Sequence, residues 1–129
     1  MIRALVITHG RIGEELVRVA GMILGPHEGL EAMSNAHRSA QDITEAVRAW
    51  LGPAAGGSPA IILVDDYGGS CATASQLACE GRRDTAVISG VNLAIVLGFL
   101  TWRDSGDFPD LVNRLVAKGR EAIVRLGAR

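Results

Sequence analysis

Two apolar runs in this sequence of 129 residues end in short polar clusters. Ala4 to Ile7 runs into Thr8-His9-Gly10, and Ala60 to Val64 runs into Asp65-Asp66-Tyr67-Gly68-Gly69-Ser70-Cys71. A histidine and a carboxylate in such places suit one kind of chemistry. A carboxylate that accepts the proton of one imidazole nitrogen fixes the tautomer and leaves the other nitrogen with a free lone pair, a nucleophile. Two glycines and a serine opening a helix add backbone N–H groups and a hydroxyl, the arrangement that receives phosphate oxygens. The constellation points to phosphoryl transfer. His9 is the acceptor, Asp65 orients and charges the imidazole, and Thr8, Gly68, Gly69 and Ser70 are the candidate phosphate ligands. Taken singly these residues are ordinary: Gly68-Gly69 is a strand-to-helix turn, and Thr8 and Ser70 are caps. Asp65 and Asp66 lack the Glu/His set that ligand spacing would require of a metal pair, so neither a metal nor a cofactor is expected. Alternation along the strand turns Asp66 to the opposite side from Asp65, or at most leaves it adding repulsion to an incoming phosphoryl group. Cys71, at a helix start, is the alternative nucleophile. His27 and His37 read as solvated loop residues without a role.

Apolar runs alternate with helical periodicity along the chain, which calls for a parallel α/β sheet covered on both faces. Strand one spans Ile2 to Ile7. The next helix carries Ile12, Leu16, Val19, Ala20, Ile23 and Leu24 on one stripe and stops at Gly25-Pro26. A short strand follows at Leu30 to Met33. Ser39 with Asp42 forms a capping box ahead of the buried face Ile43, Ala46, Val47, Trp50 and Leu51. Gly52 to Pro59 is a surface connection within one domain, residues 1–129. Strands at Ala60 to Val64 and Thr85 to Ser89 and helices at Asn92 to Trp102 and Pro109 to Leu126 complete the chain. Val91 to Leu100 is too uniformly apolar for a helix with one wet face, so it is a buried helix or a dimer contact, with Asn92 as its cap. If strands one and three are neighbours, their ends lie within about 5 Å laterally, close enough for Asp65 to reach His9.

The formal net charge is -1 at pH 7 with signs interspersed, which disfavours nucleic acid and anionic membrane surfaces as partners. The N-terminal apolar run is too short for a secretory signal and is broken by Arg3, and no apolar stretch reaches spanning length. A cytoplasmic location is expected. Cys71 and Cys79, eight residues apart in one helix, are separated by roughly 12 Å along its axis and are expected to be free thiols.

The stretches ITHGRIGEELVRVAGMILG, ILVDDYGGSCATAS, VISGVNLAIVL and KGREAIVRL, in that order, resemble the mannose-type enzyme IIA domain of the bacterial phosphoenolpyruvate-dependent sugar phosphotransferase system (PTS). The resemblance implies a three-layer flavodoxin-like fold with strand order 2-1-3-4, and a homodimer. It places the phosphoacceptor at His9, the carboxylate partner at Asp65 and the phosphate loop at Gly68, Gly69 and Ser70. The phosphocarrier HPr would be the donor and a IIB component the recipient, with the membrane reached only through IIC and IID components. Two residues depart from the family pattern: Cys71 stands where proline is expected, and Asp66 where the family has an uncharged residue. The sequence ends at Arg129 without a IIB domain, so a separate IIB protein is expected.

Three function classes share these features. The first is a phosphocarrier holding a transient phosphohistidine. The second, a receiver-like signalling domain, would need acids at the end of strand one and a lysine at a later strand end, whereas the acids follow strand three and the only lysine is Lys118. The third is a regulatory module whose phosphohistidine reports PTS state without sugar transport.

Overall fold

The apolar runs become strands because each can be covered on both sides. The structure, a computed structural model, describes residues 1–55 and 57–127. Gly56, in the connection after the second helix, and Ala128 and Arg129, at the end of the expected domain, lie outside the described residues. The elements are β1 (Arg3–Thr8), α1 (Ile12–Leu24), β2 (Leu30–Ser34), α2 (Ala40–Leu51), β3 (Ala60–Val64), α3 (Ser70–Cys79), β4 (Thr85–Ser89), α4 (Leu93–Trp102) and α5 (Phe108–Glu121). All strand pairs are parallel, in the expected order β2-β1-β3-β4. Ile7 pairs with Met33 on one side and Val64 on the other.

Alternation divides the inner strands between two cores. Ala4, Val6, Ile61 and Leu63 pack with Ala20 of α1, Phe99 of α4 and Leu115 of α5. Leu5, Ile7, Ile62 and Val64 pack with Val47 of α2 and Ala74 of α3. Every residue of β3 is buried, which is why its sequence shows no polar alternation. Arg3, the charge that interrupts the first apolar run, lies 4.2 Å from the Trp50 ring centroid and donates to the carbonyl oxygens of Trp50 and Leu51. A cation there meets the negative end of the α2 dipole. The Ser39–Asp42 capping box is present, with both bonds at 3.1 Å. Asn92 caps α4 by accepting the Ile95 N–H at 3.0 Å.

Some boundaries and faces differ from expectation. The first strand runs from Arg3 to Thr8, and the last helix ends at Glu121, not Leu126. The buried stripe of α5, Leu111, Leu115 and Gly119, reaches the end of the core. Ile123 and Leu126 beyond it are more than 80% exposed. On α1, Ile12, Ile23 and Leu24 are exposed rather than buried. Val91 to Leu100 resolves toward core packing: Ile95, Val96 and Phe99 are buried. Gly119 lets Ile95 approach α5, since a Cβ there would meet Ile95 Cδ1 at 2.5 Å. Among the described residues, no helix is long and apolar enough to cross a membrane.

Candidate functional site

The chain leaves β1 for β2 on one side of the sheet and later returns to β3 on the other side. This reversal makes the carboxyl ends of β1 and β3 a topological switch point, the place where open α/β sheets gather their ligands. His9 follows β1 and Asp65 follows β3, so the topology brings together two residues 56 positions apart. Asp65 Oδ2 accepts the His9 backbone N–H at 3.0 Å and lies 3.1 Å from Nδ1. An ionised carboxylate only accepts hydrogen bonds, so Nδ1 carries the proton and Nε2 the lone pair. The His9 side chain is 47% exposed and that of Asp65 15%. The second carboxylate oxygen, Asp65 Oδ1, is buried and has no hydrogen-bond partner among the described residues.

The loop around His9 is braced from below. Thr8 is fully buried. Its hydroxyl accepts the Gly13 N–H at 2.8 Å and donates to the His9 carbonyl at 3.2 Å. Thr8 thus satisfies one of the unpaired N–H groups of the first turn of α1 and holds the loop; its hydroxyl is not offered at the surface as a phosphate ligand. Gly13 makes this contact possible, because a Cβ there would come within 3.1 Å of the Val6 carbonyl oxygen. Asn35 adds a second brace that sequence reasoning missed. Its side-chain oxygen accepts the Gly10 N–H at 3.3 Å, while its own N–H donates to the Thr8 carbonyl at 3.0 Å. The available signal was its place just past the end of β2, the strand beside β1.

The glycine loop closes the other side. Gly69 is the N-cap of α3, and Ser70 is its first residue and exposed. A Cβ on Gly69 would stand 3.1 Å from His9 Cε1 and 3.5 Å from Asp66 Oδ2. The start of α3 therefore abuts the imidazole, and its opening N–H groups lack helical partners. Asp66 does not turn away to the far side of the strand: β3 ends at Val64, alternation stops there, and the Asp66 carboxylate flanks the same loop position as His9.

Cys71 is fully buried. Burial pushes its thiol above the ordinary range, the Asp65 charge pushes it further, and a hydrogen bond with Ser70 opposes both. A buried, protonated thiol is a poor nucleophile, which removes it as an alternative acceptor. One ring nitrogen of His9, a carboxylate oxygen of Asp65 and Cys71 Sγ nevertheless lie within 4.8 Å of one another. Both cysteines are free thiols, as expected. His37 is exposed, whereas His27 is half-buried beside Gly21 with its Nδ1 buried, not a solvated loop residue.

Known proteins share the sequence and fold of this chain. The mannose-specific EIIAB component of the PTS from Escherichia coli strain K12 is 32% identical over 124 residues, 95% of this chain. The Shigella flexneri protein of the same description matches equally. The chain spans 38% of the length of these curated relatives. Among solved structures, the phosphotransferase system component EIIA from Streptococcus agalactiae superposes with a TM-score of 0.88 at 22% identity, covering 97% of both chains. The mannose/sorbose specific IIA subunit from Enterococcus faecalis superposes with a TM-score of 0.83 at 22% identity, covering 98% of this chain and 96% of its own. The family model described as PTS system fructose IIA component, EIIA-man, matches residues 3–116. On that match over most of its length, the chain belongs to the mannose-type EIIA family of the sugar phosphotransferase system.

Proposed function

We propose that this chain is a phosphocarrier that accepts a phosphoryl group from phospho-HPr on His9 Nε2 and passes it to a IIB component. One observation carries the reading: Asp65 holds Nδ1 at 3.1 Å and so leaves Nε2 as an exposed nucleophile beside the opening turn of α3. In the transfer, the bond from phosphorus to HPr breaks as the bond to Nε2 forms, in line. The proton stays on Nδ1, and the Asp65 charge offsets the positive character that the phosphorylated ring acquires. The N–H groups opening α3 and the Ser70 hydroxyl receive the phosphoryl oxygens. Neither water nor a redox partner is consumed.

An apolar depression lined by Ile12, Leu16, Val19 and Leu93, with Arg11 and Glu15 beside it, begins two residues past His9 and is our docking surface for HPr. The protein acts in the cytoplasm in this reading and meets the membrane only through IIC and IID components. It also forms a homodimer, for which the support is the exposed apolar side chains of Ile123, Val124 and Leu126 and the edge of β4, unpaired among the described residues, not Val91 to Leu100. Incubation with phosphoenolpyruvate, enzyme I and HPr should place one acid-labile, base-stable phosphoryl group on His9. Label persisting in His9→Ala, or found on Asp66 or Ser70, would sink the assignment. Onward transfer to a purified IIB protein separates a carrier from a regulatory module, and sedimentation across the micromolar range tests the dimer.

A further inference from the structure

We propose that His9, Asp65 and Cys71 form a binding site for a thiophilic divalent cation, with Zn²⁺ the best fit, and that a bound ion excludes rapid phosphorylation of His9. The second half rests on the phosphocarrier reading; the first does not. An imidazole nitrogen, a carboxylate oxygen and a thiolate are the three donor types that zinc sites draw on. Zinc bond lengths put neighbouring tetrahedral donors about 3.5 Å apart. Here His9 Nδ1 and Asp65 Oδ2 already stand at 3.1 Å, and all three donors fall within 4.8 Å.

The donors come from three separate elements, after β1, after β3 and in the first turn of α3, so the fold holds them in place before any ion arrives. Asp65 Oδ1, buried without a partner among the described residues, is an acceptor that a cation would satisfy. Cys71 has no disulfide partner, and its sulfur disfavours ions that prefer oxygen alone, such as Mg²⁺. Binding displaces the thiol proton to solvent and moves the Nδ1 proton to Nε2 so that Nδ1 can ligate the ion; no redox step is involved. With the ion on Asp65 and a ring nitrogen, the hydrogen bond that fixes the tautomer is lost and the ring gives up electron density. Nε2, now carrying the ring proton, has no lone pair to offer phosphorus.

The probe is Co²⁺ alone, added to the intact protein and followed by absorption, with Zn²⁺ affinity measured against a chromophoric chelator. The expected result is one equivalent of Co²⁺ giving a near-ultraviolet thiolate charge-transfer band, lost in Cys71→Ser and retained in Cys79→Ser. Zn²⁺ binding should weaken at least about tenfold in Cys71→Ser and in His9→Gln, the lower bound seen for loss of even an outer-shell partner. His9 is exposed, so His9→Gln keeps the test decisive if the cysteine variant misfolds. Absence of the thiolate band in the unmodified protein, its loss in Cys79→Ser instead, or equal Zn²⁺ affinity in all variants would overturn the site. Equimolar Zn²⁺ should slow phosphorylation by phospho-HPr about tenfold or more, and much less in Cys71→Ser; equal slowing in both overturns the exclusion. Failure of His9 to label without metal refutes the phosphocarrier reading, while the cobalt spectra still decide the metal site.

Discussion

Replacing Asp65 by Asn tests the acceptor mechanism more sharply than removing His9. Asp65 Oδ2 takes two hydrogen bonds, from the His9 backbone N–H and from Nδ1, and an amide can meet them in only one of its two orientations. With its oxygen toward His9 the geometry survives and the charge is lost. Hydrogen bonds to charged groups contribute about 1.5–3 kcal/mol. At about 1.4 kcal/mol per tenfold in rate, losing that contribution in the transition state slows transfer roughly 10- to 100-fold. The same orientation places the amide NH₂ where Oδ1 has no partner, an unsatisfied donor costing about 1–3 kcal/mol. The flipped amide instead points its NH₂ at His9, loses the bond from the backbone N–H and forces the proton onto Nε2, the wrong tautomer. Together the two effects give a loss on the order of 10² to 10⁴, the upper end matching amide replacement in a catalytic triad. Rapid-quench transfer from phosphorylated HPr, with circular dichroism to check the fold, measures it. Asp66→Asn should be neutral or mildly faster, because the Asp66 carboxylate flanks the site without holding the ring and repels the incoming phosphoryl group. An Asp66→Asn protein more impaired than Asp65→Asn, or Asp65→Asn within about threefold of the unmodified protein when about 10² is expected, refutes the reasoning.

Gly69→Ala puts a methyl group 3.1 Å from His9 Cε1 at a φ of -86° that alanine tolerates. The ring must give way, and phosphorylation should slow by about tenfold, a transition-state loss of about 1.4 kcal/mol, with no change in melting; an unchanged rate would show that the loop yields instead. Thr8→Val keeps the buried shape but strips the acceptor of the Gly13 N–H, so urea denaturation should show a loss of about 1–3 kcal/mol, and a stability equal to that of the parent would contradict the brace. Burial is the leading cause raising both Cys71 and Cys79, so the folded chain keeps protons that the unfolded chain releases once pH passes about 8.5. The unfolded state then binds fewer protons, and stability falls with rising pH until the raised values are passed; the urea midpoint should drop above about pH 8.5 and drop less in a Cys71→Ala/Cys79→Ala protein.

The chemistry-bearing pair was legible because both members close apolar runs, and strand order is what such runs and their connections constrain most. Caps were equally legible, since Ser39, Asp42 and Asn92 act within three residues of themselves. What escaped depends on contacts distant in sequence. Helical periodicity continues through KGREAIVRL, yet α5 stops at Glu121 where the core gives out. The hydroxyl of Thr8 looked available for phosphate, but Gly13, by lacking a side chain, draws it inward. Asp66 escaped because alternation was extended past the last paired residue of β3. Asn35 and His27 flank β2 in segments with little pattern of their own.

The His9–Asp65 hydrogen bond spans the ends of the two inner strands, with β2 and β4 outside them. Fraying in a sheet starts at its edges, and low-energy openings that release an outer strand leave the inner ladder paired. Separating the backbones that carry His9 and Asp65 means parting β1 from β3, whose pairs from Ala4–Ile61 to Ile7–Val64 form an unbroken parallel register with buried side chains on both faces. That opening is close to global unfolding. Acceptor competence should therefore hold constant through mild denaturant and then fall along the same curve as the folded fraction, with slowest amide exchange at residues 4–7 and 61–64.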